Sequence, residues 1–418
     1  MYRGTGTSGG QYSDMDYGHN SDGHTRVHYT QNPTFINKIG SSIWAAVFGI
    51  CIVLAAFPTI YWNEGRAVKM AAALDEGLKY IIDIKNPRQI SRSEDGMLVH
   101  VTGVLQTDEV VSDPGYMVAV KAVKLKRQVE MYQWVEHKSE RKFDEGGKTR
   151  VETKFTYSKE WRSGLINSAQ FERSGAHQNP STMVITSKYY EVDHVYIGAY
   201  ELSEGLKNKV SNFKPLSLTD IPAAHDSSLL PPELHDGILY HTRNLAKPQI
   251  GDVRVSFSYA GYCGKRETPL GEPLTVSIVA KQSGNMLGEY ETDSGYSLEF
   301  LYYGKLSAKA IFEAEHASNV MLTWALRGVG WLMFFIGFLM MTSILTTLVS
   351  WIPIVRDLVG LGVTLACIAL ATSFSLVTIA IGWLRFRPLI GCALLAASMI
   401  PFALSKLKTS SEIKTSKY

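Results

Sequence analysis

The chain has 418 residues, 45% of them hydrophobic, and a formal net charge of +3 at pH 7. This near balance of charge excludes the strongly basic composition that is typical of nucleic-acid-binding proteins, so no nucleic-acid partner is expected. Four cysteines are too few for a disulfide-dense secreted scaffold, and only Cys263 lies outside the apolar runs described below.

Residues 1–42 come first in chain order and are rich in Gly, Ser, Tyr, His and Asp near their start. Because so polar a segment buries too little apolar surface to fold alone, we predict a disordered N-terminal tail. Residues 6–10 match a G-x-S-x-G motif in letters only, without the strand and helix that a nucleophile elbow requires. His19, His24 and His28 have no neighbouring cysteine, which favours a solvated tail over a metal site.

Four apolar runs predict membrane-spanning helices, at residues 43–62, 329–349, 358–384 and 389–405. A hydrocarbon core about 30 Å thick is crossed by about 20 apolar residues in a helix, and the first three runs reach that length. The fourth run is short and contains Pro401, but the turn at residues 385–388 favours a hairpin with the third run. We therefore predict one N-terminal span and three C-terminal spans.

Residues 63–328 separate the first span from the second and are predominantly polar. Apolar residues recur at helical spacing at 68–82 and again at 305–327, which predicts a helix at each end of this segment. Between them, short alternating runs bounded by Gly, Pro, Asn and Asp are typical of strands. The predicted fold is a multi-pass α-helical membrane protein with a large β-rich α+β domain between spans 1 and 2.

Lysine and arginine near the membrane orient the spans, since cytoplasmic loops carry an excess of these residues. Four spans place both tails, including the basic C-terminal tail at residues 406–418, on the same side as the loop between spans 2 and 3. That side carries Arg26, Lys38, Arg356, Lys406, Lys408, Lys414 and Lys417, against Arg385 and Arg387 on the other. We therefore predict cytoplasmic tails and a lumenal large domain. Because that domain has a single cysteine, an internal membrane is favoured over the cell surface.

Motifs that carry catalysis are missing from the sequence. It contains no H-E-x-x-H, no Walker A motif and no paired C-x-x-C. The pairs His225-Asp226 and His235-Asp236 match a carboxylate–histidine metal pattern, but their proline-rich surroundings favour a solvated loop. The predicted spans contain no Asp, Glu, Lys, Arg or His, which argues against a proton-coupled transporter. We expect no enzymatic activity, no cofactor and no bound metal.

One face of the third span consists of small and weakly polar residues. Steps of three and four residues place these side chains on one side of the helix: Gly360, Thr364, Cys367, Ala371, Ser375 and Thr378. Small residues let helices approach closely, and hydroxyl groups can bond across the contact. The face is assigned to helix packing or self-association, and packing against the chain's own spans is favoured.

Several longer sequence words resemble the LUMA, or transmembrane-protein-forty-three, family. They are Asn63-Glu64-Gly65-Arg66-Ala67 and residues 122–136, 160–163, 212–218, 251–261, 351–358 and 371–384, within a similarity from about residue 40 to about 405. The resemblance implies a protein of the inner nuclear membrane and endoplasmic reticulum that associates with emerin and lamins and forms homo-oligomers. It also implies a lumenal large domain and no established catalytic residues.

Two functions follow as expectations. The first is a non-enzymatic scaffold that organises protein complexes at the nuclear envelope through self-association and binding of envelope proteins. The second is a channel-associated or ligand-sensing membrane protein that acts through its lumenal β-rich domain. The aromatic and basic run at residues 124–134 motivates the second, although its apolar positions also fit a strand core.

Overall fold

The computed structural model describes residues 23–31, 35–145, 147–222, 229–265, 270–348, 353–386 and 388. The chain divides into two compact units. The first, here called the β-domain, comprises residues 1–32, 82–290 and 299–306. The second, here called the helical unit, comprises residues 33–81, 291–298 and 307–418.

The α-helices of the described chain are α1 (Phe35–Tyr80), α2 (Glu204–Lys209), α3 (Ala308–Leu348) and α4 (Pro353–Phe386). Three stretches within them are long and apolar enough to cross a membrane, namely Ile39–Tyr80, Ala308–Ile344 and Val359–Phe386. These correspond to the first three predicted spans. The predicted fourth span at 389–405 and the basic tail at 406–418 lie outside the described residues.

Helices α1 and α3 are longer than a bilayer requires. At 1.5 Å per residue, the 46 residues of α1 extend for about 69 Å, against a hydrocarbon core of about 30 Å. The boundaries predicted at residues 63 and 328 therefore fall inside continuous helices, and the amphipathic segments belong to the same helices as the apolar runs. Helix continues past these boundaries because the polar residues that follow find partners on neighbouring helices.

The helical unit is packed around large apolar side chains and small contact residues. Its core contains Val53, Ala56, Ile60, Phe334, Phe338, Cys367 and Ala371. Helices α1 and α3 run antiparallel, since Ser42 Oγ lies 2.7 Å from Thr347 Oγ1 near one end and Asn319 Nδ2 donates to the Ala67 carbonyl near the other. A Cβ added to Gly337 would lie 2.6 Å from Val53 Cγ2, so this glycine permits close approach of the two helices.

The strands, most of them in the β-domain, are β1 (Gly23–Gln31), β2 (Ile82–Asp83), β3 (Leu98–Gln106), β4 (Val111–Asp113), β5 (Val118–Val120), β6 (Ala122–Glu145), β7 (Lys148–Arg162), β8 (Lys188–Glu191), β9 (Tyr196–Ile197), β10 (Tyr200–Leu202), β11 (Lys214–Leu216), β12 (Glu233–His235), β13 (Ile238–His241), β14 (Val253–Tyr262), β15 (Thr275–Ser283), β16 (Met286–Gly288), β17 (Tyr290–Glu291), β18 (Ser297–Leu298) and β19 (Phe300–Tyr303).

Two larger sheets organise the β-domain. The first has the order β1-β7-β6-β14-β13-β12, with β8 beside β6 and β11 beside β14. In the second, β3, β15, β16, β10 and β9 pair in a closed ring and form a five-stranded barrel. The pairing of β10 with β16 is parallel and the other four pairings of the ring are antiparallel. The sequence patterns predict strands here but not the closure of the ring.

Strand β6 shows how the sequence pattern sets the core of the β-domain. Leu125, Val129 and Met131 alternate with partly exposed polar residues and are buried in the main apolar cluster. The run at residues 124–134, which motivated the ligand-sensing function, therefore contributes the apolar side chains of one face to the core of the β-domain. Beyond His137 the strand continues as an exposed hairpin with β7, whose turn includes Gly147 in a left-handed conformation at φ +88°.

The N-terminal tail differs from the prediction. Within the expected disordered segment 1–42, residues 23–31 form β1, and α1 begins at Phe35. Residues 25–30 include β-branched and aromatic side chains, which favour extended structure. The strand forms because β7 supplies a complete row of backbone partners, so ordering this segment does not require an apolar core of its own. The first 22 residues lie outside the described chain.

Candidate functional site

A cluster of charged and amide side chains joins the three long helices immediately beyond their predicted apolar runs. Asn63 and Glu64 follow the first run on α1, Arg327 precedes the second run on α3, and Trp383 lies at the end of the third on α4. Asn63 and Glu64 are 0% and 1% exposed. These residues, at or next to the ends of the apolar runs, thus lie together at one level of the helical unit. We call this cluster the polar clamp.

Glu64 is the central residue of the polar clamp. The Nε of Arg327 donates to Glu64 Oε1 at 2.7 Å, and Nη2 donates to Oε2 at 2.8 Å. The indole Nε1 of Trp383 donates to the same Oε2 at 2.6 Å. A bidentate arginine–carboxylate pair is both strong and directional. One carboxylate therefore links α1 to α3 and to α4 simultaneously.

Aromatic rings flank the guanidinium of Arg327. Its Cζ lies 4.8 Å from the ring centroid of Trp324 and 5.6 Å from that of Trp383. A cation over an indole ring is attracted by the electron density of the ring face. Trp383 thus contacts both members of the ion pair, by a hydrogen bond to Glu64 and by its ring to Arg327.

A second layer of the polar clamp is formed by Arg66, two residues after Glu64 on α1, and by Asn63. The guanidinium of Arg66 donates from Nη1 to Asn319 Oδ1 and from Nη2 to Thr323 Oγ1, both at 2.9 Å. Asn63 Nδ2 donates to the Thr323 carbonyl and Asn319 Nδ2 to the Ala67 carbonyl, both at 3.0 Å. Side chains from each helix therefore bond to the backbone of the other, which fixes the register of α1 against α3.

Residue spacing explains why these partners meet. Asn319, Thr323 and Arg327 are each four residues apart and so lie on one face of α3. Because α1 runs in the opposite direction, Arg66 contacts the start of this row and Glu64 contacts its end. The resulting ladder joins Asn63, Glu64 and Arg66 of α1 to partners on α3 that lie more than 250 residues away in the sequence.

Small residues bring α4 close enough to complete the polar clamp. A Cβ added to Gly382 would lie 2.9 Å from Glu64 Cβ, and one added to Gly65 would lie 2.7 Å from Phe386 Cζ. Glycine at both positions therefore permits the contact between α1 and α4. Tyr61 and Phe386, with ring centroids 5.9 Å apart, extend the same contact.

The sequence patterns did not indicate the polar clamp, although Asn63-Glu64-Gly65-Arg66 carried part of the family resemblance. A signal was present: Glu64 and Arg327 have opposite charges and each lies within two residues of an apolar run at the same predicted membrane face. These two residues can form a buried ion pair between α1 and α3 if both side chains point into the helix bundle. Helical periodicity alone does not decide whether they point inward or outward.

The six residues assigned to helix packing or self-association lie on α4 with different exposures. Cys367, Ala371, Ser375 and Thr378 are buried within the helical unit, whereas Gly360 and Thr364 are partly exposed. Cys367 and Ala371 belong to the same apolar cluster as Val53 and Phe334. The hydroxyl groups of Thr364 and Thr378 donate to carbonyls one turn earlier on α4. Self-association through this face stays a prediction.

The other candidate catalytic and metal-binding residues named from the sequence do not form a catalytic arrangement in the described chain. His235 and Asp236 are 3.4 Å apart and exposed, and His225 and Asp226 lie outside the described residues. Among the residues that the structure describes, no group of three or more His, Cys, Asp and Glu is placed to hold a metal ion. Burial raises the pKa of the Cys263 thiol to about 12, so it is protonated at neutral pH.

Three long apolar helices, joined by a buried polar clamp and interrupted in sequence by a β-rich domain with a five-stranded barrel, define a multi-pass membrane protein. The family model described as Transmembrane protein 43 matches residues 131–388. The chain is 39% identical over 385 residues to Transmembrane protein 43 of Homo sapiens, covering 92% of this chain and 95% of that relative.

A more distant relative agrees with this result. Transmembrane protein 43 homolog of Drosophila melanogaster is 36% identical over 363 residues, covering 85% of this chain and 93% of the relative. The chain belongs to the Transmembrane protein 43, or LUMA, family. No solved structure matches it.

Proposed function

We propose that the chain is a non-enzymatic scaffold that organises protein complexes at the inner nuclear membrane and the endoplasmic reticulum membrane. In this proposal its tails, including residues 1–32, are nucleoplasmic or cytoplasmic, and the part of the β-domain that follows α1 in sequence lies in the lumen. It acts by self-association and by binding envelope proteins, with emerin and lamins as partners. Membership of the Transmembrane protein 43 family supports the proposal.

The observation that carries the scaffold proposal is the polar clamp. Glu64 accepts three short hydrogen bonds from Arg327 and Trp383, and both oxygens of its carboxylate are bonded. A carboxylate that transfers a proton or binds an ion in transit must be accessible to it and must exchange hydrogen-bond partners during the transfer. The Glu64 carboxylate, bonded through both oxygens, instead holds three helices in one arrangement. A fixed helix arrangement suits a scaffold.

The proposal is tested by proximity labelling of the full chain in cells, combined with imaging at the nuclear rim. A scaffold predicts labelling of emerin and lamins and retention at the envelope. The variant Arg327→Met, which leaves Glu64 buried without its cation, should lower both signals. The matched control Lys309→Met removes a cation from the same helix, where the side chain is 77% exposed, and should leave both unchanged.

Two results would contradict the scaffold. One is a protein that reaches only the plasma membrane and labels no envelope protein. The other is a reproducible single-channel conductance of the purified protein in a planar bilayer, since that would favour the channel-associated function.

A further inference from the structure

Strand β1 covers the outer edge of the first sheet. It runs antiparallel to β7 over nine residue pairs, from Gly23 opposite Thr156 to Gln31 opposite Lys148. In the sheet order, β7 has β6 on one side and β1 on the other. Without β1, the described β7 would therefore present an open row of backbone donors and acceptors, and such an edge readily accepts another strand.

Side chains add selectivity to this backbone pairing. The guanidinium of Arg26 donates from Nη1 to both carboxylate oxygens of Glu172, at 2.9 and 3.0 Å, and lies 5.6 Å from the ring centroid of Phe155. His24 stacks on the same ring, with centroids 6.5 Å apart. Phe155 and Thr153 are only 4% and 6% exposed. The edge thus combines an aromatic surface with a carboxylate placed to receive a cation.

The backbone that carries the Glu172 carboxylate is held in position by the β-domain itself. The backbone N–H of Glu172 donates to Glu136 Oε2 at 2.7 Å, and the same oxygen accepts the hydroxyl of Tyr157 at 2.8 Å. The backbone N–H of Arg173 donates to the Tyr157 hydroxyl at 3.0 Å. None of these bonds involves β1. The backbone position of Glu172, on the loop that follows β7, is therefore fixed without β1.

A membrane crossing by α1 excludes the β1–β7 pairing within one chain. A helix that crosses the bilayer once places the residues before it on one side and the residues after it on the other. Strand β1 precedes α1 and β7 follows it. Because the apolar run of α1 is long enough to span and carries no charge, membrane insertion separates the two strands and opens the edge of β7.

We propose that, in the membrane-inserted protein, the edge of β7 is a strand-acceptor site for an extended basic segment of another protein on the same side of the membrane. This rests on the proposed topology, with the tails on one side and the part of the β-domain that follows α1 on the other. Strand β1 displays the chemistry that fits: an extended backbone with an arginine over Phe155 and against Glu172. Strand addition of this kind draws affinity from main-chain hydrogen bonds and specificity from alternate side chains.

The site is tested with the full chain in nanodiscs and a fluorescent peptide with the sequence of residues 23–31. Saturable binding is expected, with at least tenfold weaker binding of the peptide that carries Arg26→Glu. The chain variant Glu172→Arg should lose the original peptide and bind the Arg26→Glu peptide instead. Glu289→Arg, an equal charge change at an exposed position of the β-domain, serves as the control and should bind like the original chain.

A separate measurement fixes the topology. Protease protection in sealed microsomes, with one epitope in the N-terminal tail and one in the part of the β-domain that follows α1, should protect only the second epitope. If that result holds and the peptide shows no saturable binding, or the reversed charges fail to restore it, the strand-acceptor site is wrong. If both epitopes lie on one side, the proposed topology is wrong, and the proposal of a foreign strand falls with it.

Discussion

The ion pair between Glu64 and Arg327 provides the most demanding test of the polar clamp. The variant Glu64→Leu leaves the Arg327 guanidinium, whose side chain is 14% exposed, without its carboxylate, and leaves the Trp383 indole N–H without an acceptor. Removing one partner of a buried pair costs about 3–5 kcal/mol. The variant Arg327→Met should cost a similar amount, because the 2%-exposed Glu64 side chain then stays buried without its cation.

Replacing both residues should recover much of this loss. In the double variant Glu64→Leu/Arg327→Met no buried charge remains at the pair, and the main residual cost is the unpaired Trp383 N–H, about 1–3 kcal/mol. The free energy of unfolding is measured by SDS titration in mixed micelles for the original chain, both single variants and the double variant. We expect a coupling energy of at least about 2 kcal/mol from this cycle.

The matched control is the pair Lys309 and Glu313 on the same helix. Lys309 Nζ lies 3.8 Å from Glu313 Oε1, and the two side chains are 77% and 67% exposed. The equivalent substitutions there should each change the free energy of unfolding by less than about 1 kcal/mol. Single variants of Glu64 and Arg327 that cost no more than this control, or that add without coupling, would refute the assignment of the clamp as a buried structural pair.

Three further predictions concern other parts of the chain. Ala371→Leu, at a fully buried position of α4, should cost about 1–3 kcal/mol by overpacking, whereas Leu370→Ala at a 43%-exposed position should cost less; equal losses in the SDS titration would contradict this packing. The hydrogen bond to Glu201 raises the pKa of His194 above 6.5, so the stabilisation by the charged pair is present below that value and lost as pH rises through the raised pKa. Glu201→Gln should move the His194 pKa back toward 6.5 in an NMR titration, and an unchanged titration would show that the pair is not formed. Because burial raises the pKa of Cys263 to about 12, iodoacetamide at pH 8 should label this thiol only after unfolding; rapid labelling of the folded chain would exclude the buried environment.

Local patterns were sufficient for some features of the fold. Uninterrupted apolar length is a property of a short segment, so the first three long helices could be predicted from it. Alternation along β6 likewise indicated a strand with one buried face. The small-residue face of α4 followed from helical periodicity, but that periodicity left open which neighbour the face contacts.

Features that depend on distant partners could not be predicted in the same way. The closure of the five-stranded barrel requires the short strands β9, β10 and β16 to pair around β3 and β15. Strands of two or three residues carry almost no periodic signal of their own. Strand β1 was predicted as disordered tail because its order depends on the backbone partners that β7 supplies.

The sequence by itself determined that apolar helices flank a large polar segment and that the first helix is followed by Asn63-Glu64-Gly65-Arg66. Apolar length and charge decide this, since they set the cost of placing each segment in lipid. Only the tertiary structure decided that Glu64 turns inward to Arg327, 263 residues away, and to Trp383. Because removing a charge from water is costly, Glu64 can be buried only where its partners are in place. Those partners are brought together by the packing of three helices, and no single helix supplies them all.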